Sequence, residues 1–192
     1  GVRLGVAQAG IKYPNKDDLT LIELCEGSTT AAVFTQNAFR AAPVVLAEEH
    51  LQQSVRYLLI NSGNANAGTG APGMGAAEAT CASVANQFDV GADAVLPFST
   101  GVIGELLPAD VIAKAIPQCA EDLSATGWDR AASAILTTDT RPKLRSKTIE
   151  SGGRTCVLVG MSKGSGMIQP NMATMLGFIA TDAAIEKSLL QT

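Results

Sequence analysis

The sequence predicts a layered α/β fold, because strand-like and helix-like segments alternate without the regular βαβ period of about 30 residues. A doubly wound nucleotide-binding fold would need that regular period. The chain has 192 residues, which fits one good-sized domain or two small ones, and we find no internal repeat or linker. Its 46% hydrophobic and 17% charged residues exclude a disordered chain and are enough to build a core.

Short apolar or alternating segments predict the strands. They are residues 19–23, 31–35, 57–60, 155–161 and 175–180, with a further strand ending in 94–98. The segment 57–60 stops at Asn61, which is typical of a buried strand. A Gly/Asn-rich loop is expected over 61–75, where the backbone must turn repeatedly.

Apolar residues at helical spacing predict a helix over 74–88. Pro108 is expected to open the next helix at its first position, and Pro117 to limit it. Further helices are predicted over 128–136 and at the start of 182–190. That last pattern has no finishing glycine, so we expect more polypeptide after Thr192.

Composition argues against membrane and nucleic-acid partners. No apolar run approaches the roughly 18–20 residues of a membrane span, and the N-terminus has no signal-peptide pattern. The net charge is −4, and the densest basic stretch is Arg141, Lys143, Arg145 and Lys147. Its alternate spacing favours the solvated face of an extended segment over a track for phosphates.

Cysteine and histidine usage narrows the chemistry. The four cysteines are never closer than 37 positions, so the sequence has no CxxC or zinc-ligand pair, and we expect no metal. We expect buried, reduced thiols in a cytosolic protein, with disulfides as the alternative. The only histidine, His50, stands in a polar run that favours a solvated helix position over a catalytic role.

One glycine pattern imitates a dinucleotide site. Gly68, Gly70 and Gly73 satisfy G-x-G-x-x-G, but seven residues separate Ile60 from the first glycine and Pro72 lies inside the turn. The nucleotide fingerprint needs its glycines directly after a strand and at the mouth of a helix. A loop that shapes a pocket wall or a backbone crossing is the favoured interpretation.

Residues 99–104, Ser-Thr-Gly-Val-Ile-Gly, follow a predicted strand. Small residues leave backbone N–H groups uncovered, and the adjacent hydroxyl adds another donor, so the segment can hold an oxyanion. Strand-to-helix turns use the same residues for geometry alone, and both interpretations stay open.

Residues 163–176 carry the most informative loop. Lys163 stands at one end, and Thr174 begins an apolar strand at the other. Without a usable histidine, a threonine hydroxyl can be activated by its own α-amine, whose unperturbed pKa of about 7.7–8.0 suits a base near neutral pH. This chemistry requires that the preceding peptide bond be cut.

The same loop carries a family resemblance. Lys-Gly-Ser-Gly-Met-Ile-Gln-Pro-Asn-Met-Ala-Thr-Met-Leu over 163–176 resembles the self-cleavage and active-site segment of the ornithine acetyltransferase / glutamate N-acetyltransferase family of arginine biosynthesis. Other stretches resemble the family in the same order, and together they span essentially the whole chain. They are residues 9–12, 32–37, 61–67, 99–104 and 137–143.

The resemblance implies a layered αββα sandwich of the self-processing aminopeptidase/ornithine acetyltransferase type. It implies that Thr174 is the nucleophile and that the Ala173–Thr174 bond is cleaved. Residues 1–173 then form an alpha-chain-like segment, and 174–192 begin a beta-chain-like segment of the same domain.

Other site residues are implied in the same way. Thr100 and Gly101 match the pair that stabilises the oxyanion. Thr137 and Lys163 match substrate contacts, as does Thr174 itself. The chain departs from the family at Gly68, where cysteine is common. Family members are also about twice as long, and their second half supplies further substrate-binding residues.

The implied reaction moves an acetyl group from N2-acetylornithine to glutamate through an acetyl-threonine intermediate, without a metal or redox cofactor. Acetyl-CoA is a further candidate donor. The implied assembly is a cytoplasmic α2β2 heterotetramer with the beta chain. Two alternatives remain: a self-cleaving aminopeptidase or amidase of related fold that passes the acyl group to water, and a non-catalytic binding module with the Gly/Asn loop as its pocket.

Overall fold

The computed structural model describes residues 1–166 and 175–192, which form two sheets and flanking helices. The first sheet has the strand order β1-β2-β3-β4, in which only β3 and β4 are parallel. The second sheet is antiparallel, in the order β5-β6-β7. The strands are β1 Val2–Ala7, β2 Leu19–Leu24, β3 Tyr57–Asn64, β4 Val95–Val102, β5 Lys143–Ser151, β6 Arg154–Lys163 and β7 Leu176–Thr181. The helices are α1 Ala42–His50, α2 Gly70–Phe88, α3 Ala109–Glu121, α4 Trp128–Ala134 and α5 Lys187–Leu190, with a 3-10 turn at Ala92–Ala94.

The first sheet is buried on both faces, and the alternation of its side chains assigns each residue to one layer. One face packs against α2 and α3 through apolar residues of all three elements. These include Leu19, Leu21, Leu59, Val84, Ile112 and Ile116. The other face packs against α4 and the inner face of the second sheet. This cluster includes Leu4, Ile22, Ile60, Ala131, Met161 and Phe178. The layered α/β fold predicted from the sequence is therefore confirmed.

The outer face of the second sheet has no covering layer among the described residues. Ile179 of β7 points outward and is 80% exposed. Arg145 of β5 is exposed on the same face, as the alternating basic spacing predicted for an extended, solvated segment. A fourth, helical layer is not formed by residues 1–166 and 175–192.

Most strand predictions are confirmed, but the one over 31–35 is wrong. That segment pairs with no strand among the described residues, and the side chain of Gln191 instead bonds both polar groups of the Ala32 backbone. Ala32 N–H donates to Gln191 Oε1 at 3.3 Å, and Gln191 Nε2 donates to the Ala32 carbonyl at 2.9 Å. Val33 is left 70% exposed. Strands β1 and β5 were not predicted as such.

Two helices extend beyond their predicted bounds. Helix α2 begins at Gly70, and β3 continues to Asn64, so the predicted loop over 61–75 shortens to 65–69. Pro108 is the N-cap of helix α3 and not its first residue as predicted, and the helix continues through Pro117 to Glu121. Pro117 is exposed, and the buried Ile116 and Cys119 hold the helix on the core across the proline. The predicted helix in 182–190 is confined to α5.

The histidine and cysteines are distributed differently from the expectation. His50 ends α1 half-buried, with Nδ1 2.7 Å from the Val95 carbonyl, so it is not the solvated residue predicted. Cys81 and Cys119 are buried, whereas Cys156 is half-buried and Cys25 is exposed. All four thiols are free. No helix in the described part of the chain is long and apolar enough to cross a membrane.

The close approach of α3 to the first sheet depends on Gly5 of β1. A Cβ at this position would lie 1.9 Å from the Cys119 carbonyl oxygen, which is backbone and cannot rotate away. By contrast, Gly75 lies on the exposed side of α2 with nothing within 4 Å of a Cβ.

We therefore expect Gly5→Ala in the full-length protein to lower the free energy of unfolding by about 1–3 kcal/mol, because helix and strand must separate. The matched control Gly75→Ala should raise it by about 0.5–1 kcal/mol, since alanine is the better helix former. Urea unfolding measures both changes. An unchanged or raised stability in Gly5→Ala would contradict the proposed packing.

Candidate active site

The parallel strands β3 and β4 end side by side in an irregular pairing. Asn64 pairs with both Thr100 and Val102, and the register shifts at Gly63. Gly101 has φ +141°, and a Cβ on it would lie 2.2 Å from the Gly63 carbonyl carbon. Only glycine fits there, and such bulges commonly redirect a side chain beside an active site. The predicted turn over 99–104 is thus a continuation of β4 to Val102.

Buried asparagines hold the loops that follow these strands. Asn64 Nδ2 donates to the Glu105 and Leu106 carbonyls at 3.2 and 3.1 Å, and Asn66 Nδ2 donates to the Gly73 carbonyl at 2.8 Å. Asn66 N–H in turn donates to Asn64 Oδ1 at 2.7 Å. These amides thereby tie the loops after β3 and β4 to each other and to the start of α2. The Gly/Asn-rich segment therefore shapes the site, as the sequence favoured.

The central contact of the site joins the two sheets. Lys163, the last residue of β6, is 5% exposed, and Thr100 of β4 is 8% exposed. Lys163 Nζ donates to Thr100 Oγ1 at 2.8 Å. An ammonium has donors only, so the threonine oxygen must accept, and its own O–H is left to donate elsewhere. The arrangement turns Thr100 into a polarised donor at the end of β4.

Charges around the contact are arranged to compensate for its burial. Burial lowers the pKa of Lys163, the Asp139 carboxylate opposes that shift, and Lys143 adds to it. Burial alone would raise the pKa of Asp139, but hydrogen bonds from Lys143 and the Gly164 amide and the charges of both lysines lower it overall. Asp139 is therefore an anion near neutral pH, with Lys143 and Lys163 beside it.

The site opens into a cleft of about 1850 Å³ that is open to solvent and extends to Gly1 and Thr192 at the two ends of the chain. Its walls include Thr100, Gly101, Thr137 and Lys163, which the sequence had singled out, and also Met175. The structure thus brings together four predicted site residues from three separate segments. The predicted nucleophile and cleavage bond, Ala173 and Thr174, lie outside the described residues.

Two of the cysteines and the histidine, for which the sequence predicted no catalytic role, are poorly placed for catalysis. Burial raises the pKa of both Cys81 and Cys119 to about 12, so neither thiol is a nucleophile at neutral pH. His50 is bonded to the Val95 carbonyl. Within residues 1–166 and 175–192, no group of three or more His, Cys, Asp or Glu side chains is placed to hold a metal ion.

Asp139 and Lys143 are site residues that the sequence analysis left without a role. Both belong to the segment 137–143, which was noted only as part of the resemblance. The available signal was an acidic residue between threonines, four positions before a lysine. Nothing in the sequence indicated that this pair would contact the segment after Lys163.

Curated relatives match the whole chain. The arginine biosynthesis bifunctional protein ArgJ of Methylococcus capsulatus is 59% identical over 192 residues, which are 100% of this chain and 47% of that protein. The protein of the same name from Pseudomonas fluorescens is 54% identical over 191 residues, again 47% of its length. The chain therefore spans about half the length of the curated relatives it matches.

Solved structures agree with the fold. The crystal structure of the arginine biosynthesis bifunctional protein ArgJ of Bacillus halodurans has a TM-score of 0.83 and 39% identity, covering 90% of this chain and 91% of that one. Ornithine acetyltransferase of Mycobacterium tuberculosis, solved in complex with ornithine, has a TM-score of 0.76 and 33% identity, covering 88% and 91%. The ArgJ family model matches residues 3–192. The chain belongs to the ArgJ family.

Proposed function

We propose that the full-length protein transfers an acetyl group from N2-acetylornithine to glutamate through an acetyl ester on Thr174. The hydrogen bond from Lys163 Nζ to Thr100 Oγ1 carries this proposal. It leaves the threonine O–H free as a donor in a cleft, next to a glycine whose backbone approaches a neighbouring strand closely. The structural neighbours include an ornithine acetyltransferase solved in complex with ornithine, which supports the same substrate class.

Acyl transfer passes through a tetrahedral intermediate whose oxygen carries negative charge. Thr100 O–H and the Gly101 amide would donate to that oxygen. A donor that already accepts a hydrogen bond from an ammonium is a stronger donor, because the bonds polarise one another. Such a fixed donor set stabilises the transition state more than the ground state.

The nucleophile of the proposed reaction is Thr174. It is bonded to Met175, and the Met175 Cγ lies 3.4 Å from the position of a Cβ on Gly164, the residue after Lys163. In the precursor, Thr174 Oγ attacks the Ala173 carbonyl. The N→O acyl shift gives an ester, and water hydrolyses it to a carboxylate on Ala173 and a free α-amine on Thr174. Residues 1–173 and the segment starting at 174 are then separate chains of one domain.

In turnover, the liberated α-amine accepts the proton of Thr174 Oγ as this oxygen attacks the acetyl carbonyl of N2-acetylornithine. Ornithine leaves with a proton on its amine, and the acetyl group stays on the threonine as an ester. The amine of glutamate then attacks the ester and regenerates the enzyme. Lys163 and Thr137 would contact polar groups of the amino-acid substrates.

The half of the protein beyond this chain would complete the substrate site. We propose an α2β2 assembly of the two cleaved segments in the cytoplasm. Relatives are named bifunctional, and we assign the second activity to acetylation of glutamate by acetyl-CoA. The reaction needs no metal or redox cofactor.

Replacing Thr174 with alanine removes the hydroxyl that both steps need. We expect Thr174→Ala to give a single uncut chain without transferase activity, whereas Thr174→Ser should retain measurable cleavage. Intact mass and N-terminal sequencing measure the outcome. Cleavage of the alanine variant before residue 174 would overturn the role of this threonine.

Replacing Thr100 with valine preserves the branched shape and removes the O–H donor. We expect Thr100→Val to slow both cleavage and acetyl transfer by about 10²–10³-fold, because both pass through an oxyanion. Thr148→Val, at an exposed position on β5, is the matched control and should leave both rates unchanged. Wild-type rates for Thr100→Val in both steps would contradict the oxyanion assignment.

Acetyl-labelled N2-acetylornithine distinguishes transfer from hydrolysis. Without glutamate, the label should remain on the peptide that begins at Thr174, because the acyl-enzyme has no acceptor. Adding glutamate should move it to N-acetylglutamate. Release as acetate at the same rate with and without glutamate would favour the amidase alternative, and label on another residue would refute the Thr174 intermediate.

A further inference from the structure

The peptide group of Gly164 is held at both of its polar atoms by one ion pair. Asp139 Oδ1 accepts the Gly164 N–H at 2.9 Å, and Lys143 Nζ donates to the Gly164 carbonyl at 3.2 Å. Lys143 Nζ also donates to Asp139 Oδ1. We call Asp139 and Lys143 the Gly164 clamp. Thr138 extends the contact, since its Oγ1 lies 3.1 Å from Ser165 Oγ.

The Gly164 clamp lies next to two residues that matter for the proposed reaction, Lys163 and Met175. Gly164 follows Lys163, whose Nζ donates to Thr100 Oγ1. Gly164 also packs against Met175, the first described residue after the segment 167–174. Any displacement of the Gly164 backbone would therefore move the lysine that polarises Thr100 and the residue bonded to Thr174.

The carboxylate of the clamp is unusually buried for an ion pair. The Asp139 side chain is 0% exposed, whereas that of Lys143 is 44% exposed. Its Oδ2 has no hydrogen-bond partner within the described ranges. A buried charge is retained only where nearby charges compensate for its desolvation. Lys163 is itself buried, and the Asp139 carboxylate opposes the lowering of its pKa by burial, so each group favours the charged form of the other.

We propose that Asp139, together with Lys143, is a positioning residue that fixes the Gly164 backbone and, by its charge, keeps the Lys163 ammonium on Thr100 Oγ1. The inference rests on the proposed function for its catalytic consequence. Within the described residues Asp139 has no hydrogen bond to Thr100, and in this proposal it acts through Lys163. The negative charge, and not only the hydrogen bond to the backbone, is required.

Asp139→Asn tests the charge, because asparagine retains an oxygen that can accept the Gly164 N–H. In the full-length protein we expect slower cleavage at Ala173–Thr174 and a kcat for acetyl transfer lowered by about 10–100-fold, with little change in KM, because the defect is in positioning. The kcat is calculated per active site, and active sites are counted by the acetyl label. Misfolded protein is then not counted and cannot lower the kcat. Asp129→Asn, an exposed aspartate of α4, makes the same charge change as a control.

Lys143→Met removes the second residue of the clamp. Lys143 is partly exposed, so this substitution disturbs folding less than one at a fully buried position. Lys147→Met is its control, at an exposed position four residues further along β5. The double variant Asp139→Asn/Lys143→Met should lose less than the product of the two single losses, because the residues act as a unit. Independent, multiplying losses would overturn the clamp.

A readout that does not use catalysis separates this inference from the proposed function. Trace labelling with acetic anhydride reports the reactivity of each lysine, because only the neutral amine reacts. In Asp139→Asn, labelling of Lys163 near neutral pH should rise about tenfold, while that of Lys147 in the same sample stays constant. Unchanged Lys163 labelling together with wild-type kcat would overturn the positioning role. Raised labelling in a protein without transferase activity would support the clamp and refute the proposed function instead.

Discussion

The contact between Lys163 and Thr100 is the constraint on which the site depends, because it joins the ends of strands from two different sheets. β4 belongs to the first sheet and β6 to the second, and their inner faces share one hydrophobic cluster. The apolar packing brings the strand ends together without regard to side-chain chemistry. The hydrogen bond then fixes which atoms meet. Apolar packing therefore brings the two strand ends close together, and the hydrogen bond orients Lys163 relative to Thr100.

Burying an ammonium at this junction imposes a second requirement on the chain. Burial disfavours the charged form of an amine, as the lowered pKa of Lys163 indicates. The anion that compensates, Asp139, is buried as well and is itself held by Lys143 and a backbone amide. The hydrogen bond between Lys163 and Thr100 therefore involves three charged residues, which lie in two segments of the chain. This explains why the stretch 137–143 carries both an acid and a base.

Glycine and asparagine residues allow the backbones of β3 and β4 to lie close together where these strands end. Gly101 allows β4 to approach β3 more closely than any side chain would permit. The buried amides of Asn64 and Asn66 then bond the turns that leave this crowded region. The nucleotide-like pattern of Gly68, Gly70 and Gly73 has a different basis here, since Gly68 and Gly70 have positive φ values and a Cβ on Gly73 would lie 2.7 Å from Asn66 Oδ1. In this chain Gly70 and Gly73 lie inside α2, and the pattern serves the fold.

The sequence by itself determined the local features of the protein. These are the positions of most strands, the helices α2 and α4, and the residue types of the site with their chemistry. Local patterns misplaced the strand at 31–35 and the stop at Pro117, because a distant glutamine side chain and buried neighbours decided those positions. Only the tertiary structure decided that Lys163 meets Thr100 across 63 positions and that Asp139 clamps Gly164. Such contacts follow from the packing of whole sheets against each other, and no short stretch of sequence specifies that packing.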